Sequence, residues 1–144
     1  MKILINNKRA NFEYYILETL LAGIQLTGTE VKSIRDKKAS LSEAYCHIHN
    51  GEIFVKNMHI SEYRQIKHTN HDPLRDRKLL LKKQEINKLE KSVKEKGLTI
   101  IPLSIKLSDV GFIKLEIGLV KGKKVYDKRE TIKERDAKRE LNTK

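Results

Sequence analysis

Cysteine is almost missing from this chain: Cys46 stands alone among 144 residues, so no internal disulfide framework can form, which fits a reducing cytoplasm. Cys46 alternates with Ala44 and Ile48 and reads as a core thiol. No stretch approaches the roughly 18 apolar residues of a membrane span. The opening "MKILINNKRANF" turns basic too soon for a signal peptide. Linkers rich in Ser, Gly or Pro are absent, and so are internal repeats. No nucleophile elbow, phosphate-binding loop or dinucleotide fingerprint occurs. The carboxylates are scattered and interleaved with lysine, which leaves no cluster to hold the two cations of a metal-dependent nuclease. The five histidines lack a second cysteine. His68, His71 and Asp72 share one loop, and His47 and His49 share one strand face, short of the three or four ligands of a zinc site. These imidazoles read as solvated or hydrogen-bonded groups. The expectation is therefore a protein with no catalytic residues, no metal and no cofactor.

What is abundant is positive charge. The formal net charge is +12 and the pI about 9.8. Residues 121–144 hold ten Lys/Arg against five Asp/Glu, so the body keeps +7 without them. Such a balance favours a polyanionic partner, nucleic acid before membrane surface. The final segment has only Val125, Tyr126, Ile132, Ala137 and Leu141 to bury. That is too little to offset its ordering entropy, so residues 121–144 are expected to form a flexible basic tail whose partner lies outside the chain.

The pattern before the tail is that of one domain, residues 1–120. "FEYYILET" (12–19) and "AGIQLTG" (22–28) read as two strands, and "TEVKSIRDKKA" (29–39) as a short helix that Thr29 caps. "AYCHIH" and "EIFVKNMHI" flank Asn50-Gly51, the signature of a two-residue hairpin turn. Pro73 breaks the polar stretch "HTNHDPLRDRK". The run "LLLKKQEINKLEKSVKEKG" (79–97) then reads as a helix stopped by Gly97. "LTIIPLSIKL" (98–107) and "FIKLEIGLV" (112–120) alternate, and "SDVG" joins them. About six strands with two helices and no strand–helix–strand rhythm argue against a doubly wound parallel sheet. The expected fold is all-β: a small closed antiparallel β-barrel of the oligonucleotide-binding (OB) type, with flanking helices.

Three basic segments are candidate RNA contacts. Asn7, Lys8 and Arg9 lie beside Tyr14 and Tyr15, a mixture able to meet phosphate and stack on unpaired bases. Arg75, Arg77 and Lys78 precede an apolar run. Lys121, Lys123, Lys124, Lys128 and Arg129 surround Tyr126. None of these identifies a base sequence. On this evidence a basic ribosomal or single-strand nucleic-acid-binding protein on an OB barrel is one reading, and an adaptor for structured RNA is another.

The segments "NKRA" (7–10), "AGIQLTGTEVKSIRDKKA" (22–39), "HDPLRDRKLLL" (71–81), "IPLSIKL" (101–107) and "IGLVKGKKVYDKRETIKERDAKRE" (117–140) resemble, in order and spacing, the small protein B family of bacterial trans-translation. The resemblance implies an OB-type barrel that holds the tRNA-like domain of transfer-messenger RNA (tmRNA, or SsrA RNA). It implies delivery of alanine-charged tmRNA, with elongation factor Tu, to stalled ribosomes, where the stalled peptide is tagged and the ribosome released. The tail is then expected at the decoding centre and in the empty mRNA channel, against 16S ribosomal RNA. Asn7, Leu80 and Lys114 match family positions linked to RNA binding. Gly122 matches a functionally important glycine at the start of the tail, and Asp127, Lys128 and Arg129 match a motif needed on the ribosome. Lys128, Arg129, Lys133 and Arg135 are among the cations able to meet phosphate on several sides of a tail helix, with Tyr126 stacking on a base. Leu21 stands where family members often carry an acidic residue.

Overall fold

The computed structural model describes residues 1–63 and 70–123. In chain order its elements are β1 (Lys2–Asn6), α1 (Ala10–Glu13), β2 (Tyr14–Ile24), α2 (Gly28–Arg35), β3 (Ala39–Ser40), β4 (Tyr45–His49), β5 (Glu52–Lys56), β6 (His59–Ile60), β7 (Arg77–Leu80), α3 (Lys83–Lys96), β8 (Thr99–Leu107) and β9 (Ile113–Gly122). The chain is mostly β, and every strand pair is antiparallel. Hydrogen-bonded neighbours run β8-β4-β5-β7-β2-β9, and a further β8–β9 ladder closes these six strands into a ring. β1 pairs with β8 outside the ring, and β3 with β6 forms a separate ribbon.

Strand alternation explains the closure. Along β9, Ile113, Leu115, Ile117 and Leu119 turn inward, while Lys114 and Glu116 turn outward. Asn50 and Gly51 take positive φ (51° and 74°), and their turn pairs β4 with β5 without slippage. The interior is filled by Ile53, Val55, Leu79, Ile105, Leu115 and Ile117 and closed by Ile34 of α2 and Ile86 and Leu89 of α3. Ala10 of α1 packs on the outer side of the ring against Ile101 and Val120, beside Tyr14 and Leu103. Among the described residues, no helix is long and apolar enough to cross a membrane.

Several boundaries differ from expectation. The two strands expected at 12–19 and 22–28 are one, because nothing between Thr19 and Ala22 breaks the ladder to β9; a register shift between Ile16 and Glu18 absorbs the extra residue. The N-terminal residues add β1, which lies outside the expected set. Leu79 and Leu80 belong to a strand: Arg77–Leu80 bridges β5 and β2, and the helix begins only at Lys83. A short apolar run does not distinguish the two states by periodicity. The cap of α2 is Thr27, which accepts from the Glu30 N–H while the Glu30 carboxylate accepts from the Thr27 N–H at 2.8 Å. Thr29 is instead buried, its hydroxyl 2.8 Å from His71 Nδ1; His71 Nε2 donates to the Ile60 carbonyl at 2.9 Å. His71 is thus a structural tie, and His68 lies outside the described residues.

One buried ion pair ties these parts. Glu30 and Arg77 are each 0% exposed. Arg77 Nε donates to the Glu30 carboxylate, Nη1 to the Met58 carbonyl, and Nη2 to the carbonyls of Asp72 (3.3 Å) and Pro73 (3.2 Å). Arg75 adds Nη2 to Glu30 Oε1 at 2.6 Å. Burial alone would raise the Glu30 pKa. Hydrogen bonds from Arg75, the Thr27 N–H and Arg77, with the Arg77 charge, outweigh it and hold the carboxyl at about 2. A depressed carboxyl pKa supplies stability above the ordinary value of 4.5, and that stability is lost as pH falls toward about 2. Urea unfolding followed by circular dichroism should show this loss between those pH values. Glu30→Gln should lose about 3–5 kcal/mol at pH 7, because it strands the buried Arg77 charge, and should show less of the acid-induced fall. A variant within about 1 kcal/mol of the parent would remove the pair from this role.

Candidate nucleic-acid interface

The inward turn of Arg77 and Leu79 forces Lys78 and Leu80 outward on β7. Gly23 of β2 pairs with Leu80 on one side and Lys114 of β9 on the other, and Lys114 pairs with Lys106 of β8. Leu80, Gly23, Lys114 and Lys106 therefore form one row across four strands. In the next row Leu21 pairs with Glu116, and Glu116 with Ser104. A Cβ on Gly23 would lie 3.1 Å from Leu80 Cβ, so the glycine keeps a trough open between the leucine and the lysine. Leu80 is 50% exposed and Leu21 42%. With Leu81, Lys82, Lys83 and Ile86 they line an open groove of about 600 Å³ between the ring and α3.

Charge along this face is uneven. Lys106 Nζ donates to Glu116 at 3.1 Å and is neutralised there. Lys114 and Lys8 have no ion-pair partner among the described residues, so their charges are uncompensated there. Arg9 is engaged with Glu13 (2.8 Å) and Glu43 (3.2 Å), Lys78 with Glu52, and Arg75 with Glu30. Arg77 is the clear correction. Expected to face RNA, it is wholly buried on Glu30 and presents nothing to solvent. Tyr14 is half-buried against the small cluster beneath α1, and Tyr15 is the outward ring of that pair.

Asn7 donates its side-chain N–H to the carbonyls of Pro102 (2.9 Å) and Leu41 (3.5 Å), fixing the turn between β1 and α1. Its Oδ1 is buried and without a partner. Asn7 and Lys8 border a second groove, which Thr19 and Glu116 also line, and through Glu116 they join the face of Lys114. Gly122 ends β9, and Lys123 turns back on the body: its Nζ donates to the Asn11 carbonyl at 2.9 Å and lies 4.7 Å from the centre of the Tyr15 ring. Lys124, Tyr126, Asp127, Lys128, Arg129, Lys133 and Arg135 lie outside the described residues.

Sequence reasoning did not find Gly23, Lys106 or the groove at Leu21. A glycine inside an apolar strand run was the available signal, since it marks close backbone approach. No group of three His, Cys, Asp or Glu side chains among the described residues is placed to hold a metal ion. Burial pushes the Cys46 thiol up, far from any thiolate chemistry at neutral pH.

Comparison with known proteins gives a consistent picture. The sequence model of a family described as "SmpB protein" matches residues 4–144. An "SsrA-binding protein" of Lactobacillus acidophilus is 54% identical over 142 residues, covering 99% of this chain and 93% of its own. Another, of Christiangramia forsetii, is 53% identical over 138 residues, covering 96% and 88%. A solved structure described as "tmRNA-SmpB: a journey to the center of the bacterial ribosome" is 42% identical, with a TM-score of 0.71 over 85% of each chain.

The charge distribution gives a test. Lys114→Ala should weaken binding to a tRNA-shaped RNA and reduce the slope of log affinity against log salt by about 0.7–0.9. Lys106→Ala should reduce it less, because Glu116 already compensates that charge. Equal slopes for both variants would contradict the pairing scheme.

Proposed function

The chain belongs to the SmpB protein family, and on that premise we propose that it is an RNA-binding adaptor of trans-translation, one that performs no chemistry of its own. It binds the tRNA-like domain of tmRNA (SsrA RNA) and brings the alanine-charged RNA, with elongation factor Tu, to ribosomes stalled without a stop codon. The single observation that carries this reading is the family match, which runs from residue 4 through the body and the whole basic tail to residue 144.

The six-strand ring is, in this reading, an OB-type barrel with its RNA on the outer face. Folded RNA offers phosphates, 2′-hydroxyls and unstacked loop bases rather than a readable major groove. Lys114 and Lys8 meet phosphate, and the trough at Gly23 lets the backbone of the RNA approach. Leu80 and Leu21 supply apolar surface for a base or sugar. Asn7 holds the N-terminal turn in register with Pro102, which places Lys8 at the edge of this face.

Residues from 124 onward serve the second partner. Asp127, Lys128 and Arg129, with Lys133 and Arg135, occupy the empty mRNA channel near the decoding centre, where 16S ribosomal RNA supplies phosphate on several sides. A division between body and tail after Lys123, rather than after residue 120, is supported by the length of β9, which runs to Gly122. Val120 is fully buried beneath α1, and Lys121 and Gly122 still pair with Tyr15 and Tyr14. A truncation that spares the RNA-binding unit therefore follows Lys123.

Replacing Asp127, Lys128 and Arg129 together by alanine should leave tmRNA affinity within about threefold, while peptide tagging on stalled ribosomes collapses. A gel-shift titration and a tagging assay on the same preparation separate the two. Equal loss of both activities, or of neither, would refute the split.

A further inference from the structure

We propose that Phe112 is a base-stacking residue, which extends the RNA face beyond Lys114 by taking an unpaired nucleobase of the bound RNA. Phe112 lies at the end of the β8–β9 hairpin and is 65% exposed. An exposed aromatic ring is unremarkable when its backbone is loose, but this one is tied down from several sides. The Phe112 N–H donates to Ser108 Oγ at 3.0 Å, and its carbonyl accepts from the Ser108 N–H at 2.8 Å. The Gly111 N–H donates to the Ser108 carbonyl at 3.0 Å, and Arg35 Nη2 reaches from α2 to the Gly111 carbonyl at 3.2 Å. The turn thus fixes the backbone that carries the ring, so little backbone entropy remains to be lost when a flat partner lands on it.

Strand alternation sets its direction. Ile113 packs against the core, so Phe112 before it turns outward, as does Lys114 two residues on. The pair offers a π-face beside an uncompensated cation, the combination that holds an unstacked base and its phosphate. Charge around the hairpin end favours RNA over a protein segment. Arg35 and Lys114 flank it, and the one acid of the turn, Asp109, faces the N-terminal ammonium of Met1 at 3.9 Å.

This inference rests on the reading of the outer face as the tmRNA surface, and the experiment separates the two. The full chain and the variants Phe112→Ala, Phe112→Leu, Phe112→Tyr and Lys114→Ala would be titrated with transcribed tmRNA at several salt concentrations. Phe112→Ala should weaken binding by about 5- to 100-fold with the salt slope unchanged, because stacking releases no counterion. Phe112→Tyr should bind like the parent and Phe112→Leu like the alanine variant, since leucine keeps the bulk without the π-face. Urea midpoints should match the parent's, because the ring is not part of the core. If Phe112→Ala binds like the parent while Lys114→Ala weakens binding, or if leucine serves as well as phenylalanine, stacking is overturned and the face stands. If neither substitution weakens binding, the outer face itself is not the RNA surface.

Discussion

Everything on the outer face depends on where β7 sits, and β7 is held by the ion pair between Glu30 and Arg77. A carboxylate and a guanidinium with no water access are costly to bury, and the pair is sustained only because each remaining polar atom is met. The guanidinium spends its other donors on the carbonyls of Met58, Asp72 and Pro73, and the carboxylate also caps α2 and receives Arg75. The segment before β6, the 72–75 turn, β7 and the start of α2 are thereby fixed to one point. A strand of four residues has few ladder bonds to resist sliding. A slip of one residue would put Lys78 and Leu80 inside and Arg77 and Leu79 outside.

That parity is how the chain divides its residues between stability and recognition. On β7 the inward pair, Arg77 and Leu79, is buried, and the outward pair, Lys78 and Leu80, stands on the face proposed for RNA. On β9 the same alternation buries four aliphatic side chains and frees Lys114. The two classes are interleaved, so the rigid core positions the exposed set without a separate scaffold. Gly23 completes the arrangement by withholding a side chain where two outward residues, one on each flank, would otherwise be separated by bulk.

What the sequence made legible follows the range of the forces involved. The Asn50-Gly51 hairpin, the alternation of β9 and the body of α3 with its stop at Gly97 rest on neighbours close in the chain and stand as read. A register shift between Pro102 and Ser104, by contrast, breaks the alternation of β8 and sets Leu103 in the outer cluster, apart from Ile105 and Leu107. Leu80 and Lys114 came from the family resemblance, and the structure sets them on either side of Gly23. Arg77 was misread because its partner is 47 residues away. Between Arg75 and Lys78 it reads as one more surface cation, and only the topology reveals it as an inward position of a strand. Thr27 and Thr29 show the same limit at short range. Both are plausible caps, and the choice was made by His71, which claims the Thr29 hydroxyl from a distant loop.

Leu21 gains meaning from this geometry. It sits opposite Glu116 in the row next to Lys114. A carboxylate at that position would face Glu116 directly, and like charges paired across strands repel. It would also share Lys106 and draw on the field of Lys114. With leucine there, Lys106 and the Ser104 hydroxyl satisfy Glu116, the groove toward α3 gains an apolar wall, and Lys114 stays without an ion-pair partner among the described residues. On the face proposed for RNA, the salt dependence of binding would then rest mainly on Lys8 and Lys114, the two cations among the proposed contacts that no acid among the described residues compensates.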